Sequence, residues 1–215
     1  TVLSGRTAGA SCAMAGIVVG VVTRTGVGLK LASALVSISG NNLLLTMFFT
    51  MITSIILGMG VPTTANYIIT STIAAPALLT LGVVPIAAHL FVFYFGIIAD
   101  LPPPLALAAY PGAAIARANP MKTGVAATRL AIGAFILPYI YVMAPVLLLV
   151  NATPLGMLSA VVSALVGMTS ISAALAGYLI RPMRVWERLV LAGAGLCLVD
   201  PGLVTDIIGI GTLAV

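Results

Sequence analysis

Leu43–Gly82 reads LLLTMFFTMITSIILGMGVPTTANYIITSTIAAPALLTLG, two apolar runs joined through a glycine- and proline-rich centre. The first run, Leu43–Leu57, is preceded by Gly40-Asn41-Asn42, which offers a turn and a helix cap. As a helix it is about 22 Å long, short of the roughly 30 Å hydrocarbon core of a bilayer. It stops at Gly58-Met59-Gly60-Val61-Pro62-Thr63-Thr64, and a second run, Ala65–Leu81, closes at Gly82. Two short helices around such a break predict a re-entrant hairpin over 43–82, with its tip inside the membrane. An ordinary turn between two full spans is the alternative.

Composition supports a membrane setting. The 215 residues are 61% hydrophobic and 6% charged. Soluble domains carry about 25% charged residues, because their surface must face water. Nine basic and four acidic side chains are too few to coat a soluble chain of this length. Leu130–Val150 and Leu155–Ile180 contain no charge. These runs do not alternate in ten-residue segments, which argues against a β-barrel. The net charge of +5 comes from residues spread along boundaries between apolar runs. Basic residues there orient a membrane protein and do not indicate nucleic-acid binding.

Upstream of the hairpin, residues 1–42 read as the membrane segment or segments leading into it. Ala8–Ile38 is apolar but is interrupted at Thr23-Arg24-Thr25-Gly26, with Lys30 following. It is either one broken, tilted element or a span with an interfacial helix. Downstream, Pro85–Ile115 is broken by Asp100-Leu101-Pro102-Pro103-Pro104. Each proline removes an N–H donor and pushes the preceding residue away from helical geometry. With apolar runs on both flanks, residues 83–116 read as a discontinuous transmembrane helix.

The loop Ala116–Lys122 precedes two transmembrane helices within 123–181. The first runs from about Ala126 to Val150, bent at Pro138 and Pro145, and the second is Leu155–Ile180. Asn151-Ala152-Thr153-Pro154 turns between them. Residues 182–215 read as a basic loop and an apolar hairpin, Leu189–Val199 and Leu203–Val215, around Asp200-Pro201-Gly202, with Asp206 in its second arm. Two spans separate Arg117, Lys122 and Arg129 from Arg181, Arg184 and Arg188, so both clusters belong on one side. The positive-inside rule makes that side cytoplasmic. Gly82 and the Asn151 turn then face outward.

The breaks carry the chemistry. Backbone groups freed from a helix inside a bilayer must be satisfied by protein, water or an ion. Helix amino-termini suit carboxylates, and freed carbonyls suit sodium. Gly58 and Gly60 permit an unusual backbone path, and Pro62 suits the start of the second helix. Thr63, Thr64 and Asn66 offer hydroxyls and an amide. Asp100 is a carboxylate in apolar surroundings, which is costly and usually functional or paired. Binding a cation, capping the next half-helix and holding the gap rigid all remain open to it, as does a watery interface position.

Arg24, Lys30 and Arg129 either reach inward to an anion or snorkel to the interface. His89, near Pro85, reads as packing or hydrogen bonding, with a proton relay as the alternative. Trp186 and Tyr178 read as interfacial anchors. Phe91, Phe93 and Phe95, and Tyr139 and Tyr141, read as packing. Cys12 and Cys197 lack metal-ligand spacing. No P-loop, H-E-x-x-H, nucleophile elbow or dinucleotide fingerprint is present, so no enzyme and no resident cofactor is expected.

GMGVPTTANYIITSTIAAPALLTLG and PIAAHLFVFYFGIIADLPPPLALAAYPGAAIARANPMKTG resemble the large permease subunit of tripartite ATP-independent periplasmic (TRAP) transporters, most of all the fused permeases of the TAXI branch. The similarity covers roughly Gly9–Leu149. It implies an all-α polytopic inner-membrane protein, the second inverted repeat of an elevator-type transporter with a re-entrant hairpin and a broken helix. It also implies sodium-coupled symport of carboxylates or related small organic anions, delivered by an extracytoplasmic binding protein.

By the same resemblance, the first repeat and small-subunit-like helices are expected before Thr1 in a longer chain. Gly58, Gly60, Pro62, Gly96, Asp100 and Pro102 are the implied cation-site residues, and Thr63, Thr64, Asn66 and Pro103 the implied substrate-site residues. The family often places a threonine before its paired prolines. Leu101 stands there in this chain, so a hydroxyl ligand is lost at that point. The rival readings are a cation-coupled carboxylate carrier that needs no binding protein and a membrane scaffold subunit that transports nothing.

Overall fold

The computed structural model describes residues 2–107, 109–150, 152–178, 181–199 and 209. The side chains of Cys12 and Leu155, Asn151, Ile180, the Asp200-Pro201-Gly202 turn, Asp206 and the expected second arm of the carboxy-terminal hairpin lie outside what is described. The fold is largely helical and membrane-spanning, in two compact units, residues 1–125 and 126–215.

In the first unit, α1 (Val2–Thr25) and α2 (Val27–Ile38) meet at Gly26, whose φ of 67° ends one helix and starts the other. Residues Gly16–Thr25 and Val27–Ile38 are bent by 70°. The region is a kinked pair of helices. α2 passes close to α4 (Thr63–Ile73), because a β-carbon on Gly28 would sit 2.7 Å from the Thr72 carbonyl oxygen.

α3 (Leu43–Gly58) starts where the Asn42 side chain accepts a hydrogen bond from Leu45 N at 3.2 Å. Its faces are inverted relative to a water-soluble helix. The buried residues are Thr46, Met47, Thr50, Ser54 and Gly58, while Leu44, Leu45, Phe48, Ile52 and Ile56 are exposed. Small and polar residues inward with large apolar residues outward is how helices pack when the solvent is lipid.

The chain returns through α4 and α5 (Ala75–Thr80) and packs with α3 against α6 (Pro85–Ile98). The expected single run Ala65–Leu81 is two helices, beginning at Thr63 and broken at Ala74. Pro76 lies in the first turn of α5, and a proline there cannot continue the preceding helix. Pro62 is the residue before α4 rather than its first residue.

After α6 the backbone leaves helical geometry over 99–107, and α7 (Ala109–Ile115) and α8 (Pro120–Leu130) follow. α8 begins earlier than the expected span at Ala126. Asn119 accepts from Lys122 N at 3.1 Å, and Pro120 takes the first helical position, where its missing N–H costs nothing.

In the second unit, α9 (Ile132–Met143) continues through Pro138 and gives way to a 3₁₀ turn at Pro145–Leu148, so helix does not persist to Val150. Pro120–Met143 and Gly156–Ala176 are each long and apolar enough to cross a membrane. α10 (Pro154–Ala176) is capped by Thr153, which accepts from Gly156 N at 3.2 Å. α11 (Val185–Val199) packs along it. At the crossing, a β-carbon on Gly195 would lie 2.9 Å from the Gly167 carbonyl oxygen. Ser163 Oγ donates to the Leu198 carbonyl at 3.1 Å. The carboxy-terminal end of α10 receives Arg188, which donates to the Ala174 and Leu175 carbonyls at 2.7 and 3.0 Å.

Candidate functional site

The two sequence breaks meet in the first unit. Gly58 ends α3 against the last turns of α6, where a β-carbon on it would lie 2.7 Å from the Gly96 carbonyl oxygen and 2.9 Å from Ala99 Cβ. Asn66, from the first turn of α4, fills the third side. A β-carbon on Gly58 would be 2.8 Å from Asn66 Nδ2, and one on Gly96 would be 2.5 Å from the same atom. Three elements therefore converge without room for one added carbon. Glycine at 58 and 96 is a steric requirement of this contact.

The tip itself is Met59-Gly60-Val61-Pro62. Gly60 has φ of 71°, a left-handed conformation that costs an L-residue roughly 1–2 kcal/mol. Val61 N returns to the Gly58 carbonyl at 3.3 Å. Gly60 N donates to Asp100 Oδ1 at 3.1 Å, and a β-carbon on Gly60 would be 3.8 Å from Leu105 Cδ1. The carboxylate thus ties the hairpin tip to the proline break across forty positions of sequence.

The break is an ordered loop. Leu107 N donates to the Asp100 carbonyl at 2.9 Å, and Ala106 N to the Pro102 carbonyl at 3.2 Å. Tyr110 OH donates to the Pro104 carbonyl at 2.9 Å. The Pro103–Pro104 peptide is cis. α8 presses on this loop at Gly124, where an added β-carbon would be 3.2 Å from both Pro103 Cγ and Ala106 Cβ.

The expected site residues therefore fall into two layers. Gly60, Pro62, Thr63 and Thr64 are exposed at the tip, and Asp100, Pro102 and Pro103 lie half-buried in the loop beside it. Gly58, Asn66 and Gly96 are buried beneath them. Asn66 is only 2% exposed, so its expected contact with substrate requires the seam between α3 and α6 to open. Its Oδ1 has no protein hydrogen-bond partner. Among the described residues, no three His, Cys, Asp or Glu side chains gather as a metal cluster. The oxygens available to a cation here are backbone carbonyls, the Asp100 carboxylate and the Asn66 amide.

The other singled-out residues lie elsewhere. Arg24, Lys30, Arg117, Lys122 and Arg129 are exposed. His89 Nδ1 is 3.3 Å from Tyr67 OH, and the two rings contact edge to face. Together with Ile86, Leu90 and Phe93 they line a 310 Å³ pocket. The Phe91, Phe93 and Phe95 run divides, with Phe91 and Phe95 in the core and Phe93 packed on Tyr67. Trp186 and Tyr178 are exposed.

The sequence reading missed a spacing-of-four series on α3, Thr46, Thr50, Ser54 and Gly58, all buried. The periodicity of one helix face was the available signal. It also missed Arg188 as the cap of α10, whose contacts span thirteen or more positions and have no local signature.

The chain matches the family model described as Tripartite ATP-independent periplasmic transporter, DctM component, over residues 5–156, more than half its length. No curated protein and no solved structure matches it. The hairpin tip, the proline break and the contact that joins them all fall within the matched residues, and the chain belongs to the DctM-component family of tripartite ATP-independent periplasmic transporters, a family of membrane permeases and not of enzymes.

Proposed function

We propose that this chain forms the second of two inverted repeats in a sodium-coupled elevator that carries a carboxylate or related small organic anion across the inner membrane, in the manner of the fused TAXI-branch permeases. The observation that carries the reading is the junction at the two breaks, Gly58 at the end of α3 seated on the Gly96 carbonyl of α6, and Gly60 N in the tip bonded to Asp100 in the loop.

Sodium supplies positive charge at the junction when bound. Carbonyls near Gly58, Gly60, Gly96 and Pro102, with the Asp100 carboxylate, are its proposed ligands. Leu101 supplies no hydroxyl, so the loop's share falls on backbone oxygens. Substrate carboxylate meets the exposed amino-terminal turn of α4, where Thr63 and Thr64 present hydroxyls and backbone N–H groups. Pro103 forms the apolar wall. Asn66 fixes the spacing of α3, α4 and α6 and meets substrate only when the seam opens. Because Asp100 holds the tip to the break, sodium occupancy and tip closure are linked, which is what coupling requires. The substrate arrives on an extracytoplasmic binding protein.

Reconstitution of the full permease with its binding protein in liposomes tests this. An inward sodium gradient should drive uptake, and uptake indifferent to sodium overturns the coupling. Uptake at full rate without the binding protein would favour a self-sufficient carboxylate carrier.

A further inference from the structure

α3 and α4 treat their hydroxyls in two ways. Thr46 Oγ1 donates to the Asn42 carbonyl, Thr53 to Phe49 and Thr70 to Asn66, each one turn back along its own helix. That return bond is the usual refuge of a hydroxyl in an apolar helix bundle. Thr50 and Ser54 do not use it. Both are completely buried, and neither hydroxyl oxygen has a hydrogen-bond partner in the protein. Asn66 Oδ1 is the third such oxygen.

Thr50, Ser54 and Gly58 occupy successive turns of one buried face of α3, and the Asn66 amide lies against Gly58. The buried face of α6, Ala87, Ala88, Phe91, Val92, Phe95 and Gly96, brings no polar side chain to the seam. Buried polar groups in folded proteins are hydrogen-bonded almost without exception. Three departures along α3 and at its Gly58 end call for partners from outside the protein chain.

The donor and acceptor balance selects the ligand. Thr50 and Ser54 each need an acceptor for the hydroxyl proton, whereas Asn66 Oδ1 needs a donor. A cation could bind the two hydroxyl oxygens only with their protons turned back to the carbonyls one turn earlier, a bond neither hydroxyl makes, and an anion would leave Asn66 Oδ1 opposed. Water does both, and buried waters bind in this way, with about three hydrogen bonds each.

We infer that Thr50 and Ser54 bind buried water along α3, in a site that ends at Asn66 Oδ1, where α3, α4 and α6 close on Gly58 and Gly96. Thr50 and Ser54 lie outside the proposed cation and substrate residues, and Asn66 is shared with them. Water there offers the hydroxyls the same partners whether α3 lies against α6 or moves from it. That removes a penalty from hairpin movement.

The test uses the intact permease in lipid nanodiscs, with Thr50→Val, Ser54→Ala and the conservative Thr50→Ser. Thr50→Val and Ser54→Ala should each lower the melting midpoint by about 2–4 °C, equally in sodium and in potassium, while Thr50→Ser keeps it. An unchanged or raised midpoint in Thr50→Val means a dry seam and overturns the site, because an unpaired hydroxyl is better replaced by a methyl. A loss seen only in sodium means a bound cation and overturns the assignment to water. Wild-type protein gives a readout independent of variant folding. A brief X-ray pulse, which makes hydroxyl radicals from bound water, should oxidise Met47, which is fully buried on α3. No oxidation at Met47 contradicts the inference.

Discussion

Two close helix crossings in this molecule use the same device for opposite ends. At Gly167 and Gly195, α10 and α11 approach until backbone meets backbone, and the neighbouring polar groups are satisfied: Ser163 bonds the Leu198 carbonyl, and Arg188 caps the end of α10. At Gly58 and Gly96, α3 and α6 approach as closely, yet Asn66 Oδ1 at the contact, and Ser54 and Thr50 one and two turns back along α3, lack protein partners. The adjoining backbone on both sides is unwound. A structural crossing closes its hydrogen-bond account inside the protein. A crossing that leaves oxygens open, next to broken helices, has room for partners that the protein itself does not supply, and the proposed water and ion sites both rest on that difference.

The largest contrast comes from filling each crossing. Gly96→Ala and Gly195→Ala both place a β-carbon closer than 3 Å to other atoms, and each should cost about 1–3 kcal/mol of stability by overpacking. They should part in function. Gly96→Ala should abolish uptake in folded, membrane-inserted protein, while Gly195→Ala should keep uptake per folded molecule. Transport assays normalised to folded protein decide this. Equal loss in both would dissolve the distinction.

Asp100→Asn comes next. It keeps the side chain's shape and an oxygen acceptor for Gly60 N but removes the charge. Hydrogen bonds to charged groups are worth about 1.5–3 kcal/mol, so the sodium concentration for half-maximal uptake should rise roughly tenfold, equivalent to about 1.4 kcal/mol. An unchanged sodium dependence would remove Asp100 from the site and leave it a structural tie.

Arg188→Met should act only on stability. Losing the two donations to the end of α10 should cost about 1–2 kcal/mol, read as a lower melting midpoint with the sodium dependence intact. Smallest is Glu187→Gln, which breaks an ion pair at 2.8 Å to an exposed Arg181. Exposed pairs contribute about 0–1 kcal/mol, so chemical denaturation should barely shift.

Much of this arrangement was legible in the chain. Asn42 announced the start of α3, Gly58–Pro62 its end, and the three prolines the gap after α6, because caps and breakers act locally. Other local signals were present and passed over. Pro76 splits the return arm of the hairpin at Ala74, and Asn119-Pro120 starts a helix inside what read as a polar loop. The pairing of Gly58 with Gly96, and of Gly60 with Asp100, was not legible. Each is a contact across some forty positions, and periodicity describes one element at a time. The wedge role of Asn66 was hidden for the same reason: an amide next to two threonines reads as a third polar ligand until the backbones that enclose it are placed.

The central claim is that the tip and the proline loop are one binding unit, whereas α10 and α11 are only scaffold. Hydrogen–deuterium exchange on the intact permease, in sodium and in potassium, tests this directly. Sodium should slow amide exchange at residues 58–64 and 99–107 together and leave 160–198 unchanged. Equal exchange in both salts at the tip and loop, or protection confined to α10 and α11, would contradict the account.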